Sequence, residues 1–248
     1  MSFELNVLTY NMHKGFSGLD RRFVLHAMRE ALANSNSHLV FLQEVQGEHK
    51  RRANRIAAWP ELAQYEFIAQ ELWPNFSYGR NATHAHGHHG NAILSCFPLI
   101  GCENISVSPY PFAASRGILH GKVNLPDRSD GLHVLCVHFG FVSYERRRQV
   151  RRLFEYIVKR IPSDAPLVIA GDFNDWSGSA IEASEIGVLE AYHELHGEYA
   201  NTWPSWAPVF PMDRIYYRGL MPIAARQLGA SPWSRLSDHI PLQACFQI

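Results

Sequence analysis

The chain has 248 residues, of which 46% are hydrophobic and 19% are charged, proportions that are ordinary for a soluble globular protein. Its 23 lysine and arginine residues balance 23 aspartate and glutamate residues, so a global field that draws nucleic acid or an anionic membrane is excluded, and any such binding must use a local patch. No apolar run approaches the length that spans a bilayer, so we expect no transmembrane segment.

The first third of the chain contains two apolar runs that end in polar residues. Residues 5–9 predict a strand that ends close to Asn11, and residues 38–43 predict a buried strand with Glu44 directly after it. Between them, Asp20 can cap a helix that runs to about Ala33. Glu44 is therefore a candidate for chemistry, and a helix-starting residue is the structural alternative.

Basic and histidine-rich segments follow. Residues 48–59 predict a helix with a basic face, and residues 65–69 predict a strand. Residues 81–90 hold four histidines among glycines and show no hydrophobic period, which predicts a solvated loop; metal binding is the weaker alternative, because no acidic or cysteine residue accompanies these histidines. Further strands are expected at residues 90–95, 100–107, 117–125 and 132–137, with a turn at 126–131 and His138 at the tip of the last strand.

The clearest predicted helix covers residues 144–160. One face is apolar, and the other carries seven arginine and lysine residues against two glutamates. This basic face is either a solvated helix surface or a patch that faces phosphate groups. Two shorter helices are expected at residues 179–186 and 190–196.

The stretch PLVIAGDFND, residues 166–175, is the centre of the predicted fold. Its apolar run predicts a strand that is buried on both faces, and Gly171 allows a sharp turn where the strand ends. Asp172 and Asn174 follow with one residue between them, so both side chains can point the same way. They are suited to orient a water, hold a hard cation or bind a phosphate, and an Asx turn is the structural alternative.

The last part of the chain begins with a proline- and tryptophan-rich loop at residues 201–211. Strands are predicted at residues 213–217, which Asp213 opens, and at 242–246, shortly after Asp238 and His239. We find no internal repeat, low-complexity tract or linker, so residues 1–248 are expected to form a single domain and the protein to be a monomer.

Four cysteines, Cys96, Cys102, Cys136 and Cys245, show no CxxC spacing, and most lie in apolar runs. This pattern predicts buried free thiols in a reducing compartment. The first residues also lack the basic and apolar regions of a signal peptide, so we expect a cytoplasmic protein.

Together, the polar residues near strand ends form a candidate site. Oxygen ligands dominate and no cysteine joins them, which favours Mg²⁺ or Mn²⁺ over zinc. Hard cations, histidines and amide donors are what the hydrolysis of a phosphate ester requires. The candidate residues are Asn11, Glu44, His138, Asp172, Asn174, Asp213, Asp238 and His239.

The segments TYNMH, LQEV, GNAILS, VHFG, GDFND, DRI and SDH occur in this order over nearly the whole chain. They resemble the endonuclease/exonuclease/phosphatase superfamily, which includes deoxyribonuclease I-like nucleases, abasic-site endonucleases, neutral sphingomyelinases and inositol polyphosphate 5-phosphatases. The chain looks most like the small bacterial stand-alone members. The resemblance implies an α/β fold, a four-layer αββα sandwich of two mixed sheets packed face to face, with helices outside and the site at one open edge.

The resemblance also implies a role for each matching residue. Glu44 looks like the main metal ligand, with Asn11 and Asp238 beside it. Asp172 resembles the residue that orients or deprotonates the attacking water, and Asn174 resembles a contact to the phosphate and to a second metal.

The histidines complete this set. His239 resembles the essential histidine, oriented by Asp213, and His138 resembles the second phosphate-binding histidine. Arg116, in the segment SRG, is a further candidate for contact with the phosphate. The resemblance leaves open whether one or two metals act, and whether His239 is a base or an electrostatic stabiliser.

We therefore expect a divalent-metal-dependent phosphoesterase, and a nuclease that reads the backbone is the favoured hypothesis. Tryptophans near the predicted catalytic residues can stack on bases, and local basic surfaces can contact phosphates. The alternatives are a phospholipid- or sphingomyelin-type phosphodiesterase that acts on a headgroup, and a phosphatase for a small phosphorylated substrate. A non-catalytic binding module is disfavoured, because every catalytic position holds the expected residue type.

Overall fold

The computed structural model describes residues 3–108, 115–126, 130–176 and 186–248. The strands are β1 (Glu4–Asn11), β2 (Leu39–His49), β3 (Asn75–His84), β4 (Gly87–Ser95), β5 (Leu99–Ser106), β6 (Gly117–Val123), β7 (Leu132–His138), β8 (Leu167–Asp172), β9 (Leu189–Glu190), β10 (Asp213–Arg218), β11 (Met221–Gln227) and β12 (Leu242–Gln247). The helices are α1 (Leu25–Ala33), α2 (Lys50–Ala53), α3 (Gln64–Ala69), α4 (Ser143–Arg160) and α5 (Ala191–His196).

The strands form two six-stranded sheets of mixed direction. The order in the first sheet is β11-β12-β1-β2-β4-β3, and β1 runs parallel to β2. The order in the second sheet is β5-β6-β7-β8-β10-β9, and β7 runs parallel to β8. The other strand pairs of both sheets are antiparallel.

The two sheets pack face to face because their central strands are apolar on both sides. In β1, Leu5 and Val7 pack in the core between the sheets, whereas Leu8 and Tyr10 pack on the outer side of the first sheet. Helices α1 and α3 cover that outer side, and α4 covers the outer side of the second sheet. This arrangement confirms the expected four-layer αββα sandwich.

The strand pairing brings several predicted site residues to one edge of the sandwich. In the second sheet, both His138 of β7 and Asp213 of β10 lie opposite Asp172 of β8. In the first sheet, Asn11 ends β1 opposite Gln43 of β2. The polar residues therefore converge because neighbouring strands end or begin at the same level.

Three local predictions are wrong where tertiary contacts determine the structure. Residues 65–69 form helix α3 instead of a strand, because Ile68 and Ala69 are buried against the first sheet. Residues 81–90 are not a loop: they form the turn end of the β3–β4 hairpin, and β4 pairs with β2 on one side and β3 on the other. The predicted helix at 48–59 shrinks to α2, because β2 continues to His49 and pairs there with Gly87.

The start of α1 also differs from the prediction. Asp20 does not cap this helix, which begins at Leu25. Its carboxylate instead accepts a hydrogen bond from the Ser17 hydroxyl and forms an ion pair with Arg22, closing a turn before the helix. The edge strand β11 was not predicted, and it is held by pairing with β12.

The expected burial of the cysteines holds only in part. All four are free thiols, and Cys136 is buried, but Cys96 and Cys102 are exposed.

Residues 127–129 of the predicted turn and residues 179–185 of the predicted helix lie outside the described residues. Within the described ranges, no helix combines the length and the apolar character needed to cross a bilayer.

Candidate active site

The edge where both sheets present polar residues contains a cavity of about 250 Å³. All of the predicted site residues except Asp213 line it, and Asp213 lies directly behind His239. Aromatic and sulfur side chains complete the wall. The lining residues are Asn11, Glu44, Arg116, His138, Phe141, Asp172, Asn174, Trp203, Met212, Asp238 and His239.

Asp172 is the buried centre of this cavity. Its carboxylate accepts hydrogen bonds from Asn11 Nδ2 at 2.9 Å and from the backbone N–H of Asn174 at 2.9 Å. His138 Nε2 lies 3.6 Å from Asp172 Oδ2, and His239 Nε2 lies 3.8 Å from the same oxygen. One carboxylate oxygen is thus shared by an amide and two imidazoles.

Two unusual backbone conformations hold this end of β8. Gly171 has φ +154°, and a Cβ there would come within 1.9 Å of the Val137 carbonyl oxygen, so only glycine fits. Asn174 has φ +50°, a left-handed conformation that asparagine tolerates better than most residues. Its Nδ2 donates to the Phe139 carbonyl at 3.0 Å, which ties the β8 turn to the end of β7.

Asp213 and His239 form a hydrogen-bonded pair, with Nδ1 of the imidazole 2.8 Å from Asp213 Oδ2. Both residues are at least 95% buried. Thr202 Oγ1 accepts from the Asp213 backbone N–H, and Ser237 Oγ accepts from the His239 backbone N–H, so both partners are fixed. The second oxygen, Asp213 Oδ1, is buried without a hydrogen-bond partner in the described part of the chain.

The charges around the pair set its protonation. Burial alone would lower the pKa of His239, but the carboxylates of Asp213 and Asp172 outweigh burial and raise this pKa to about 10. Its Nε2 edge, which faces the cavity, therefore carries a proton at neutral pH.

The pKa values of two neighbouring groups, Asp172 and His138, also shift. Burial raises the pKa of Asp172 to about 7; the positive charge of His239 opposes this rise, and the negative charge of Asp213 adds to it. Burial, together with the positive charge of Arg116, holds the pKa of His138 well below its usual range. The cavity therefore combines a neutral imidazole, a protonated imidazole and a carboxylate that titrates near neutrality.

Glu44 reaches the cavity in a way that differs from the prediction. It does not follow the end of a strand, because β2 continues past it to His49. Instead it has φ +56° and lies where the pairing of β2 with β4 shifts register between Leu42 and Val45. This β-bulge redirects the side chain, as bulges next to active sites commonly do.

Two residues that were not singled out from the sequence, His13 and Lys14, contact the carboxylates of the site. Lys14 Nζ forms an ion pair with Glu44 Oε2. His13 Nδ1 lies 3.7 Å from Asp238 Oδ1, which also accepts from Ser237 Oγ at 3.2 Å. Their position directly after the Asn11 strand end was the signal in the sequence that could have identified them.

The oxygen atoms fit a hard divalent cation. Burial alone would raise the pKa of Glu44, but His138, Lys14 and His13 outweigh it and lower this pKa to about 2, so the carboxylate is ionised across the neutral range. Glu44, Asp238 and Asn11 offer carboxylate and amide oxygens, the donor set of Mg²⁺ or Mn²⁺. The ammonium of Lys14 already shows that Glu44 attracts a cation.

A second group of potential ligands lies deeper in the cavity. Ligand atoms of Asp172, Asp213 and His239 all lie within 4.8 Å of one another. Because Nδ1 of His239 is already hydrogen-bonded to Asp213, this group forms an acid–base cluster in the structure described. The outer oxygens of Glu44, Asp238 and Asn11 are therefore the better candidates for a metal.

The sequence matches a known family over most of its length. The model of the "Endonuclease/Exonuclease/phosphatase family" matches residues 8–239. The "Uncharacterized protein YbhP" of Escherichia coli (strain K12) is 39% identical over 244 residues, which cover 98% of this chain and 96% of that protein.

Solved structures share the fold at low sequence identity. An endonuclease/exonuclease/phosphatase from Beutenbergia cavernae DSM 12333 superposes with a TM-score of 0.75 at 15% identity, over 99% of this chain and 72% of that chain. The structure of D. rerio TDP2 complexed with single strand DNA product superposes with a TM-score of 0.72 at 20% identity, over 99% of both chains. These likenesses establish the fold.

Proposed function

The chain belongs to the endonuclease/exonuclease/phosphatase family, and we propose that it is a divalent-metal-dependent phosphodiesterase that cleaves nucleic acid strands. The observation that carries this proposal is the buried pair of His239 and Asp213, 2.8 Å apart, beside Asp172 and His138 in one cavity. This geometry supports hydrolysis of a phosphate ester, because it places a carboxylate that can accept a proton and two imidazoles that can donate in one cavity. The family generally hydrolyses phosphate esters.

In this proposal, the attacking water is activated by Asp172. Asn11 and the backbone of Asn174 fix the orientation of the carboxylate, so that it can accept a proton from a water in the cavity. The raised pKa of Asp172 makes it a stronger base than an ordinary carboxylate and still leaves a large ionised fraction above pH 7.

The negative charge that develops on the phosphate is stabilised by the histidines and by Arg116. The proton on Nε2 of His239 can be donated to a non-bridging or leaving oxygen, and the raised pKa supports the role of stabiliser or acid over that of base. His138 can donate as a neutral imidazole. Nε of Arg116 is buried without a hydrogen-bond partner in the described part of the chain, so this guanidinium has a donor to offer.

A divalent cation bound by Glu44, with Asp238 and Asn11, would neutralise the non-bridging oxygens of the phosphate. Asn174, two residues after the end of β8 in the second sheet, would also contact the phosphate. These roles follow the resemblance residue by residue, and the position of all four side chains on one cavity supports them.

Nucleic acid is the proposed substrate because the rim of the cavity offers aromatic faces and cations together. Trp203 and Phe141 line the cavity, and the ring of Trp176 lies 4.7 Å from that of Phe141. Such rings stack on bases of any sequence, while basic groups contact the backbone. The neighbour with a single strand DNA product shares this fold and adds weight to the same substrate class.

One observation favours a second candidate, the release of a phospholipid headgroup. The loop at the cavity rim exposes large apolar side chains: Trp206 is 63% exposed, and Val209 and Phe210 are also exposed. Such a patch can enter the apolar part of a lipid surface. This candidate keeps the same metal chemistry and changes only the substrate.

The test compares both substrates under one set of conditions. We expect the purified chain with Mg²⁺ or Mn²⁺ to cleave plasmid DNA and single-stranded oligonucleotides, and the variant His239→Ala to lose this activity. Vesicles that contain sphingomyelin or phosphatidylglycerol serve as the parallel substrate. Headgroup release without any DNA cleavage would reject the nuclease and support the lipid candidate, and inactivity of wild type on all of them would reject the phosphodiesterase.

A further inference from the structure

A second, larger cavity of about 620 Å³ lies beside the active site. It is bounded by the segment at residues 13–21, by the region around α2 and by the tip of the β3–β4 hairpin. We call it the cationic pocket, because one lysine and four arginines are among the residues that line it. The lining residues used in the argument below are His13, Lys14, Arg21, Arg51, Arg52 and Arg55.

Within the described ranges, the charge of the arginines that line this pocket is not compensated by a carboxylate in its wall. Arg21, Arg51 and Arg55 are exposed and form no ion pair with any described carboxylate. In a chain with no net charge, such a concave cluster concentrates positive potential at one place and attracts anions there.

Internal contacts hold the pocket in shape. The Arg52 guanidinium donates to Gln46 Oε1 and lies 4.6 Å from the centre of the Phe16 ring. The backbone N–H of Lys50 donates to the His86 carbonyl at 2.9 Å, which ties α2 to the β3–β4 hairpin. A pre-formed pocket loses less conformational entropy when an anion binds than a set of free side chains would.

The pocket is joined to the catalytic cavity through Lys14. This residue lines the pocket, and its ammonium contacts Glu44, which lines the catalytic cavity. His13, which also lines the pocket, lies 3.7 Å from Asp238. An anion in the pocket would therefore lie next to the proposed metal ligands, on the side of the first sheet.

We propose that the cationic pocket binds a second phosphate group of the substrate strand, the neighbour of the phosphate that is cleaved. This inference rests on the proposed nuclease function and deepens it, since it makes substrates with a phosphate on one side of the scissile bond the preferred ones. Guanidinium groups recognise phosphate by charge-assisted, bidentate hydrogen bonds, which arginine forms better than lysine.

The basic face of α4 is the rival location for phosphate binding. It forms a cavity of about 520 Å³ lined by arginines, but a carboxylate, Glu155, lines it as well. Among the described residues, neither pocket shares a lining residue with the catalytic cavity, but Lys14 and His13 of the cationic pocket lie within 4 Å of the proposed metal ligands Glu44 and Asp238. The cationic pocket is therefore the better place for the neighbouring phosphate.

The first experiment measures kcat/KM for three thymidine dinucleotides: TpT, TpT with a 5′-phosphate and TpT with a 3′-phosphate. We expect wild type to prefer one phosphorylated form over TpT by about tenfold or more, the gain typical of hydrogen bonds to a charged group. In the double variant Arg51→Gln/Arg55→Gln this ratio falls towards one. The matched control, Arg147→Gln/Arg151→Gln on α4, keeps the wild-type ratio.

The second experiment does not depend on turnover. Titration calorimetry measures the binding of thymidine 3′,5′-bisphosphate and of inorganic pyrophosphate to the metal-free chain. We expect Arg51→Gln/Arg55→Gln to weaken binding of both by about tenfold or more, and the α4 control variant to leave it unchanged. Circular dichroism checks that both variants are folded.

The outcomes separate this proposal from the proposed function. If no dinucleotide is cleaved but the Arg51/Arg55 variant loses pyrophosphate binding, the pocket is an anion site and the nuclease function fails. If wild type and Arg51→Gln/Arg55→Gln show the same preference for a phosphorylated dinucleotide, or bind the bisphosphate and pyrophosphate equally, the cationic pocket is not the phosphate site. Sedimentation with phosphatidylglycerol vesicles tests a lipid surface as the ligand. If Arg51→Gln/Arg55→Gln no longer sediments with these vesicles but keeps the wild-type kcat/KM ratio for the dinucleotides, the assignment to a nucleic acid strand is overturned.

Discussion

Three ionisable side chains, Asp172, Asp213 and His239, are buried together in a space where an isolated charge would be strongly disfavoured. The two carboxylates share one imidazolium, which offsets part of the repulsion between them. Asp213 Oδ1 nevertheless has no described hydrogen-bond partner. Such an arrangement is costly for stability and is typical of residues retained for catalysis.

Glu44 provides the first prediction. The variant Glu44→Gln keeps the size of the side chain and leaves its left-handed backbone conformation unchanged, so we expect it to fold normally. Loss of the carboxylate charge removes the proposed main metal ligand, and activity on a phosphodiester should fall by about 100-fold or more. The control is Glu48→Gln, an exposed residue of the same strand, for which we expect near wild-type kcat/KM. An active Glu44→Gln variant would contradict the role of Glu44.

The pair of Asp213 and His239 provides the second prediction. Because the two side chains act through one hydrogen bond, Asp213→Asn and His239→Ala should each lower kcat by about 10²- to 10⁴-fold, and the double variant should lose little more. The measurement is a double-mutant cycle on bis(p-nitrophenyl) phosphate. Additive losses would mean that the two residues act independently.

Protonation of His239 provides the third prediction. Its pKa is raised from the ordinary value of 6.5 to about 10, so its contribution to stability is fully present below pH 6.5 and is lost as the pH rises through 10. In the metal-free protein, NMR should show an imidazolium at pH 8 that titrates close to pH 10. In Asp213→Asn the midpoint should be lower. A wild-type midpoint near 6.5 would mean that the two carboxylates do not outweigh the effect of burial on the pKa of His239.

At the scale of elements, a histidine pair joins β6, β7 and α4. His120 Nε2 lies 3.0 Å from His133 Nδ1, and its Nδ1 lies 2.7 Å from the Tyr156 hydroxyl of α4. Burial, with the neighbouring His133, lowers the pKa of His120 to about 4. Protonation of this imidazole would place a positive charge in the largely buried contact between the sheet and the helix, beside a second imidazole.

The fourth prediction follows from that contact. Because the pKa of folded His120 is below the ordinary value of 6.5, its contribution to stability is present above pH 6.5 and is lost as the pH falls through 4. The free energy of unfolding in urea should therefore decline over this range, and less steeply in His120→Gln. The exposed His193 supplies the control variant His193→Gln, which should follow the wild-type slope. Parallel slopes for His120→Gln and wild type would reject this account.

The elements that the sequence predicted well are those with strong local patterns. The continuous apolar run of β8 and the helical periodicity of α4 can each be recognised without knowing the neighbouring elements. Residues 81–90, the turn end of the β3–β4 hairpin, were predicted as a loop because this polar, histidine-rich segment has no hydrophobic period and gains its structure from the pairing of β4 with β2 and β3. Helix α3 is short, and its aromatic residues favour a strand until packing on the sheet is known.

At the scale of the whole molecule, the candidate site could be located from the sequence because most of its residues lie near the ends of strands, and strands that are neighbours in a sheet end or begin at a common edge. Three features could not be predicted from the sequence: the bulge at Glu44, the particular carboxylates that His13 and Lys14 contact, and the cationic pocket. Each arises where segments that are far apart in the chain meet, such as residues 13–21, α2 and the β3–β4 hairpin. Such tertiary contacts cannot be predicted from a local sequence pattern.

The central claim is that this edge of the sandwich hydrolyses phosphodiesters with a divalent cation held by Glu44, Asp238 and Asn11. The most direct measurement is the hydrolysis of bis(p-nitrophenyl) phosphate by the wild-type chain, first in excess chelator and then after titration with Mg²⁺ or Mn²⁺. We predict no turnover in chelator and saturable recovery on addition of metal, with Glu44→Gln requiring more metal for half recovery. Full activity in excess chelator, or no activity with either cation, would contradict the account.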